Sequence, residues 1–127
     1  MNGIRLFVLS LCLFMPGCSS ITPQQLEAAP AVKLQYSVPR NYEAALKGVM
    51  DKWNECANTE LFRRVEVYPE LGEGRVVVYA DFTSTCFLIK TKKTGPNSCI
   101  ADVYAFRNQP KRLEIIRRGL FGEQMCN

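Results

Sequence analysis

Asn41-Tyr42-Glu43-Ala44-Ala45-Leu46-Lys47-Gly48-Val49-Met50-Asp51-Lys52-Trp53-Asn54-Glu55-Cys56-Ala57-Asn58 is the stretch that decides the fold. Tyr42, Ala45, Leu46, Val49, Met50, Trp53 and Cys56 recur at helical spacing and share one face, while Arg40, Glu43, Lys47, Asp51 and Glu55 fall opposite. Pro39 lies just before the start, Asn41 supplies a side-chain acceptor suited to an N-cap, and Asn58 is a suitable stop. Glu43 precedes Lys47 by four residues, the favourable order for an ion pair along a helix. The aromatic residues Tyr42 and Trp53 belong to the buried stripe, so they are read as core and not as a ligand-stacking platform.

Beyond Thr59 the period changes from near four to two. Val65 and Val67 alternate with charged residues in 62–68. Pro69 and the turn Glu70-Leu71-Gly72-Glu73-Gly74 follow, and then 75–82 places Val76, Val78, Ala80 and Phe82 on one face. Residues 86–90 form a third apolar strand, Lys92-Lys93-Thr94-Gly95-Pro96-Asn97 is a turn, and 98–107 is a fourth strand. Asn108-Gln109-Pro110 turns again into a last strand through Leu113, Ile115 and Ile116, and the apolar tail from Gly119 to Cys126 packs onto the domain. The expected fold is α+β: one amphipathic N-terminal helix packed on an antiparallel meander of four to five strands, stapled by disulfides.

Upstream of the helix, Ser19-Ser20-Ile21-Thr22-Pro23-Gln24-Gln25-Leu26-Glu27-Ala28-Ala29-Pro30-Ala31-Val32-Lys33-Leu34 holds two prolines and no sustained period, and is read as a tether. Before it, Arg5 supplies a positive charge, 6–15 is an apolar run, and Met15-Pro16-Gly17-Cys18-Ser19-Ser20 closes the segment. A run of this length is too short to cross a bilayer, which takes about 20 helical residues. The segment 1–20 resembles the signal of bacterial lipoproteins, with Met15 and Pro16 at positions where Leu and a small residue are commonest. That resemblance implies cleavage before Cys18, a palmitate-type acyl modification of Cys18, and anchorage to the membrane through this N-terminal lipid. Two or more acyl chains give a stable anchor where one gives marginal binding. In that family an Asp after the cysteine favours retention at the inner membrane; Ser19 stands there, which implies the outer membrane, facing the periplasm. The organisation expected is therefore 1–17 signal peptide, 18–34 acylated terminus and tether, and 35–127 a single small periplasmic domain.

The chain has 16 Lys and Arg against 12 Asp and Glu, a net charge of +4, and loses Arg5 with the signal. A balance so close to neutral does not suit nucleic acid. Histidine is absent, which excludes Ser-His-Asp and Cys-His nucleophile systems and the commonest metal ligand. There is no S-x-x-K, G-x-S-x-G, phosphate-loop or H-E-x-x-H pattern, and no paired carboxylates declare themselves, so neither catalysis nor a cofactor is expected.

Beside Cys18 and the signal's Cys12, four cysteines remain: Cys56, Cys86, Cys99 and Cys126. Their number and wide spacing in a small exported chain suit two disulfides and not a metal site. Of three connectivities, Cys86 with Cys99 and Cys56 with Cys126 is preferred, the first to tie a hairpin and the second to fasten the tail to the helix end. Lys90, Lys92 and Lys93, interleaved with Thr91 and Thr94, make the densest positive cluster. They form either a contact for an anionic partner or a solvated turn that protects a sheet edge. Arg117, in the last strand, would need a carboxylate such as Asp81 or Asp102.

The expected function is non-catalytic binding by a membrane-anchored lipoprotein that serves a larger envelope machine through a protein partner. The alternative is inhibition of a lysozyme-like hydrolase, with the 91–97 loop as a plug.

Overall fold

The computed structural model describes residues 21–57, 62–79, 84–124 and 126. The elements are α1 (Pro23–Ala28), β1 (Val32–Val38), α2 (Tyr42–Cys56), β2 (Phe62–Tyr68), β3 (Glu73–Tyr79), β4 (Thr85–Gly95), β5 (Ser98–Ala105) and α3 (Pro110–Phe121). The five strands form one antiparallel sheet in the order β1-β5-β4-β3-β2. Strands β2 to β5 are thus a meander, and β1 joins it at the far edge beside β5. Because β1 and β2 lie at opposite edges, α2 must carry the chain across the sheet. Its 15 residues extend about 22 Å, enough to pass over five strands about 4.8 Å apart.

The mixed α+β class and the antiparallel sheet agree with the sequence reading. Asn41 caps α2 by accepting from the Glu43 N–H at 2.9 Å, as its position implied. Three expectations need correction. The amphipathic helix is not N-terminal: α1 and β1 precede it, and the tether boundary at Leu34 falls inside β1. Val32, Leu34, Tyr36 and Val38 alternate with Lys33, Gln35 and Ser37, and this edge strand is held by its register with β5, from Val32 opposite Ala105 to Val38 opposite Cys99. The last apolar segment is not a strand but α3. Pro110 sits in its first turn, Gly122 ends it at φ 70°, and Leu113, Ile116 and Leu120 form a buried stripe.

The third correction concerns the disulfides. Cys56 and Cys126 are bonded, with their Cα atoms 5.4 Å apart. Cys86 and Cys99 are not bonded to each other. Cys99 stands opposite Lys93, whereas the Cys86 carbonyl accepts from the Phe106 N–H at the other end of the same strand pair. Seven strand positions separate them, roughly 23 Å, far beyond the ~7 Å limit between bridged Cα atoms. Among the described residues the disulfide is Cys56–Cys126, and the second expected pair is not formed.

The core lies between the sheet and the two long helices. Ala45, Leu46, Val49 and Trp53 of α2 and Ile116 and Leu120 of α3 pack on Val76, Val78, Phe87, Ile89, Ala101 and Val103. Trp53 meets Phe87 edge to face at 5.6 Å between ring centroids. The two helices cross where Gly48 abuts Gly119. A Cβ on Gly119 would lie 2.7 Å from the Gly48 carbonyl oxygen, so any larger residue forces the helices apart. Arg40 closes the far end of α3, donating at 3.2 Å to each of the Gly119 and Leu120 carbonyls, where the helix dipole favours a cation.

Among the described residues, the other side of the sheet is covered by α1, a helix of six residues that starts with a capping box between Thr22 and Gln25. Its Leu26 is buried against Val77, Leu88 and Tyr104.

Candidate functional site

The strand alternation sorts the sheet into two surfaces. On the side away from α2 and α3, register aligns Gln35, Asp102, Lys90, Arg75 and Glu66 in one row across all five strands. A second row aligns Ser37, Ile100, Lys92, Glu73 and Tyr68. The next row inward is Lys33, Tyr104, Leu88, Val77 and Arg64, whose centre Leu26 covers.

The first row is a charge ladder of balanced sign, with Lys90 and Arg75 side by side at its centre and Asp102 and Glu66 flanking them. The Gln35 amide donates to Asp102 at 2.9 Å, Lys90 donates to Glu27 of α1 at 2.8 Å, and Arg75 donates to Glu66 at 2.6 Å. Glu66 also accepts from the Tyr68 hydroxyl at 2.5 Å and pairs with Arg64 at 2.8 Å. The Arg75 hydrogen bond, followed by that from Tyr68, holds the Glu66 carboxyl below its ordinary range. The hydrogen bond to Glu27 correspondingly raises Lys90. Tyr68, Glu73, Gly74, Arg75, Lys90, Thr91, Lys92 and Asp102 line a shallow cavity of about 250 Å³ in this surface.

This geometry keeps Lys90 and Lys92 of the expected cluster on one face and turns Lys93 to the other. Lys90 and Lys92 point to the ladder side, Lys90 is neutralised by Glu27, and Lys92 stands between Glu73 and Ile100. Lys93 lies at the odd position of β4, its side chain against Gly72 and its N–H donating to the Gly72 carbonyl at 2.7 Å. The expected loop 91–97 is strand as far as Gly95, with only Pro96 and Asn97 at the turn. Glu27, Glu66, Arg75 and Asp102, absent from the sequence expectation for a binding surface, are the groups that the register brings to the lysines.

A second concavity, about 590 Å³, lies at the start of α3 beside the disulfide, lined by Cys56, Lys111, Arg112, Glu114, Ile115, Arg118 and Cys126 among others. Glu114 is committed there to two arginines: Arg117 donates to it at 2.7 and 3.0 Å and Arg118 at 3.1 Å. The Arg117 bonds, the largest influence, pull the Glu114 carboxyl down to about 2. Arg117 takes its carboxylates from Glu114 and Glu123, not from Asp102, because helical spacing replaces strand alternation in this segment. Asp81 lies outside the described residues, as does Cys18 with the whole of 1–20.

Among the described residues, the grouping of ligand-type side chains close enough to hold a metal is Glu55 with Cys56 and Cys126, whose sulfurs are already bonded to each other. Among the described residues no helix is long and apolar enough to cross a membrane. No protein-family model, curated protein or solved structure matches the chain.

Proposed function

We propose that this chain is a lipid-anchored protein of the bacterial envelope that acts by non-catalytic binding to an envelope partner, and that the charge ladder is its recognition surface. The observation that carries the reading is the Met15-Pro16-Gly17-Cys18 segment after an apolar run. The Cys56–Cys126 bond supports it, since disulfides persist in oxidising, exported compartments. The state of the carboxylates supports the non-catalytic part. Glu66 and Glu114 are both shifted downward by arginines, and a general acid near neutral pH needs the opposite shift.

A partner carrying charges of both signs suits the ladder, because a surface of balanced sign selects by register and not by net attraction. The acyl anchor is tested by growing cells with labelled palmitate. Wild type should incorporate label and partition with membranes, and Cys18→Ser should do neither. Label retained on C18S would overturn the anchor. For the recognition surface, crosslinking in cells should recover a defined envelope protein from wild type and lose it in Lys92→Glu. Equal recovery from K92E would remove the ladder from the proposal.

A further inference from the structure

The two edges of the sheet differ, and the difference meets the proposed recognition surface at Glu66. At the β1 edge the helix-side residues are covered: Val38 is buried and Tyr36 packs on Phe121, 6.0 Å between ring centroids. Its outward row carries Lys33, Gln35 and Ser37, a single sign of charge, the usual protection of an edge. At the β2 edge the helix side is partly open. Val65 is 42% and Val67 37% exposed, although Val76 opposite Val65 is fully buried. With Ala44, Leu46, Lys47 and Met50 the two valines line an apolar groove of about 450 Å³ between β2 and α2.

The sequence of this edge is self-complementary about Val65. One position to either side stand Arg64 and Glu66, of opposite charge and on the same outer face. Arg64 is 55% exposed and already within 2.8 Å of Glu66 in its own chain. Arg75 holds Glu66 from the inner side and keeps it ionised. An antiparallel pair of two β2 strands related by a twofold axis at Val65 sets each Arg64 opposite Glu66 of the second copy. It also sets the two Val65 side chains against each other and Val67 opposite the aliphatic stem of Arg63. Directly opposed residues in antiparallel strands have their Cβ atoms about 4.5–5.5 Å apart, close enough for both pairs to form.

We propose that a second copy of this chain docks edge to edge on β2, in the antiparallel register centred on Val65, joining two five-stranded sheets into one and closing the groove at Val65 and Val67. The proposal stands whether or not Cys18 is acylated. A contact made of one seven-residue strand and the groove beside it falls at the small end of specific interfaces, below about 1,200 Å² of total buried surface, so micromolar self-association is expected.

The test is sedimentation equilibrium of the full chain in density-matched detergent, with micelles in excess over protein. Wild type should dimerise in the micromolar range. Arg64→Glu and Glu66→Arg should each weaken that association at least about tenfold, because like charges then meet across the axis. An equimolar mixture of R64E and E66R should recover association within about threefold of wild type, since opposite charges meet at both positions of the mixed dimer. Thermal unfolding checks that each variant is folded, and Val65→Lys, at an exposed position, serves as the disruptive variant if E66R does not fold. Wild type that remains monomeric to about 1 mM overturns the proposal, even if another protein is found on this edge. So do R64E or V65K dimers as tight as wild type, or folded R64E and E66R that fail to associate on mixing.

Discussion

On its helix side the sheet carries Val76, Val78, Phe87, Ile89 and Val103 beneath two helices of 15 and 12 residues, and all five are at most 1% exposed. On its other side the six-residue α1 seals Val77 and Leu88 under Leu26, and the remaining surface is a lattice of ion pairs and hydrogen bonds. The same five strands build both surfaces, since successive side chains point opposite ways. Stability therefore concentrates on the first face and charged, hydrogen-bonding groups on the second. Buried apolar side chains contribute about 1.5–3 kcal/mol each, whereas exposed ion pairs contribute about 1 kcal/mol or less.

The sharpest break of this contrast is Trp53→Ala. Trp53 is fully enclosed between α2 and Phe87, and its removal should cost about 3–5 kcal/mol, measured as a fall in the urea midpoint at unchanged slope. A cost below about 1 kcal/mol would mean that the helix side is not the stabilising face. Next is Cys56→Ser with Cys126→Ser, which frees a tail also held by Lys52, whose ammonium donates to the Gln124 carbonyl at 3.0 Å. Opening a loop with a sequence separation of 70 should cost about 2–4 kcal/mol. Thermal unfolding with and without reductant measures it, and wild type treated with reductant should match the double variant.

Leu26→Ala tests the thin side. The loss should be about 2 kcal/mol, at the low end for a buried leucine, because one short helix can peel away without opening the main core. Hydrogen exchange should show fast exchange in α1 while Trp53 fluorescence stays native; a simultaneous loss of both would mean that the two faces unfold as one unit.

Acid gives the smallest effect. Glu66 and Glu114 are shifted downward in the folded state, Glu114 to about 2 from an ordinary 4.5. Their stabilisation is thus fully present above about pH 4.5 and is lost as pH falls toward 2. Glu114 is 42% exposed, so solvent screening limits its share to under about 1 kcal/mol. Denaturant midpoints at pH 7 and pH 3 should show this loss in wild type and less of it in Glu66→Gln.

The contrast between faces was partly visible in the residue order. The α2 stripe, its Asn41 cap and the alternation of 62–68 and 75–79 are local patterns, and each was readable without the rest of the chain. The ladder was not. A symmetrical hairpin closed by Gly95 opposite Ser98 would set Lys90 against Val103, but an irregularity between Lys93 and Gly95 shifts the register so that Lys90 meets Asp102. One residue of slip turns a side chain to the other face, and no local signal separates the two registers. The distance between Cys86 and Cys99 does not depend on this slip, since either register leaves Cys86 at least seven strand positions from Cys99. The α3 segment shows a different failure: Leu113, Ile115 and Ile116 suit either period over four residues, and only Pro110 and Gly122 at its limits, with Leu120 a turn further on, identify a helix.

By itself the sequence determined the α+β class, the crossing helix, the Cys56–Cys126 pair as the preferred one, and the lack of histidine chemistry, since periodicity, caps and composition act within a few residues or over the whole chain. Tertiary structure decided the pairing of β1 with β5, the helical state of 110–121, and the neutralisation of Lys90 by Glu27. Those depend on which strands lie side by side and in what register, and that is settled only when the apolar faces of the two long helices and the sheet close on one another.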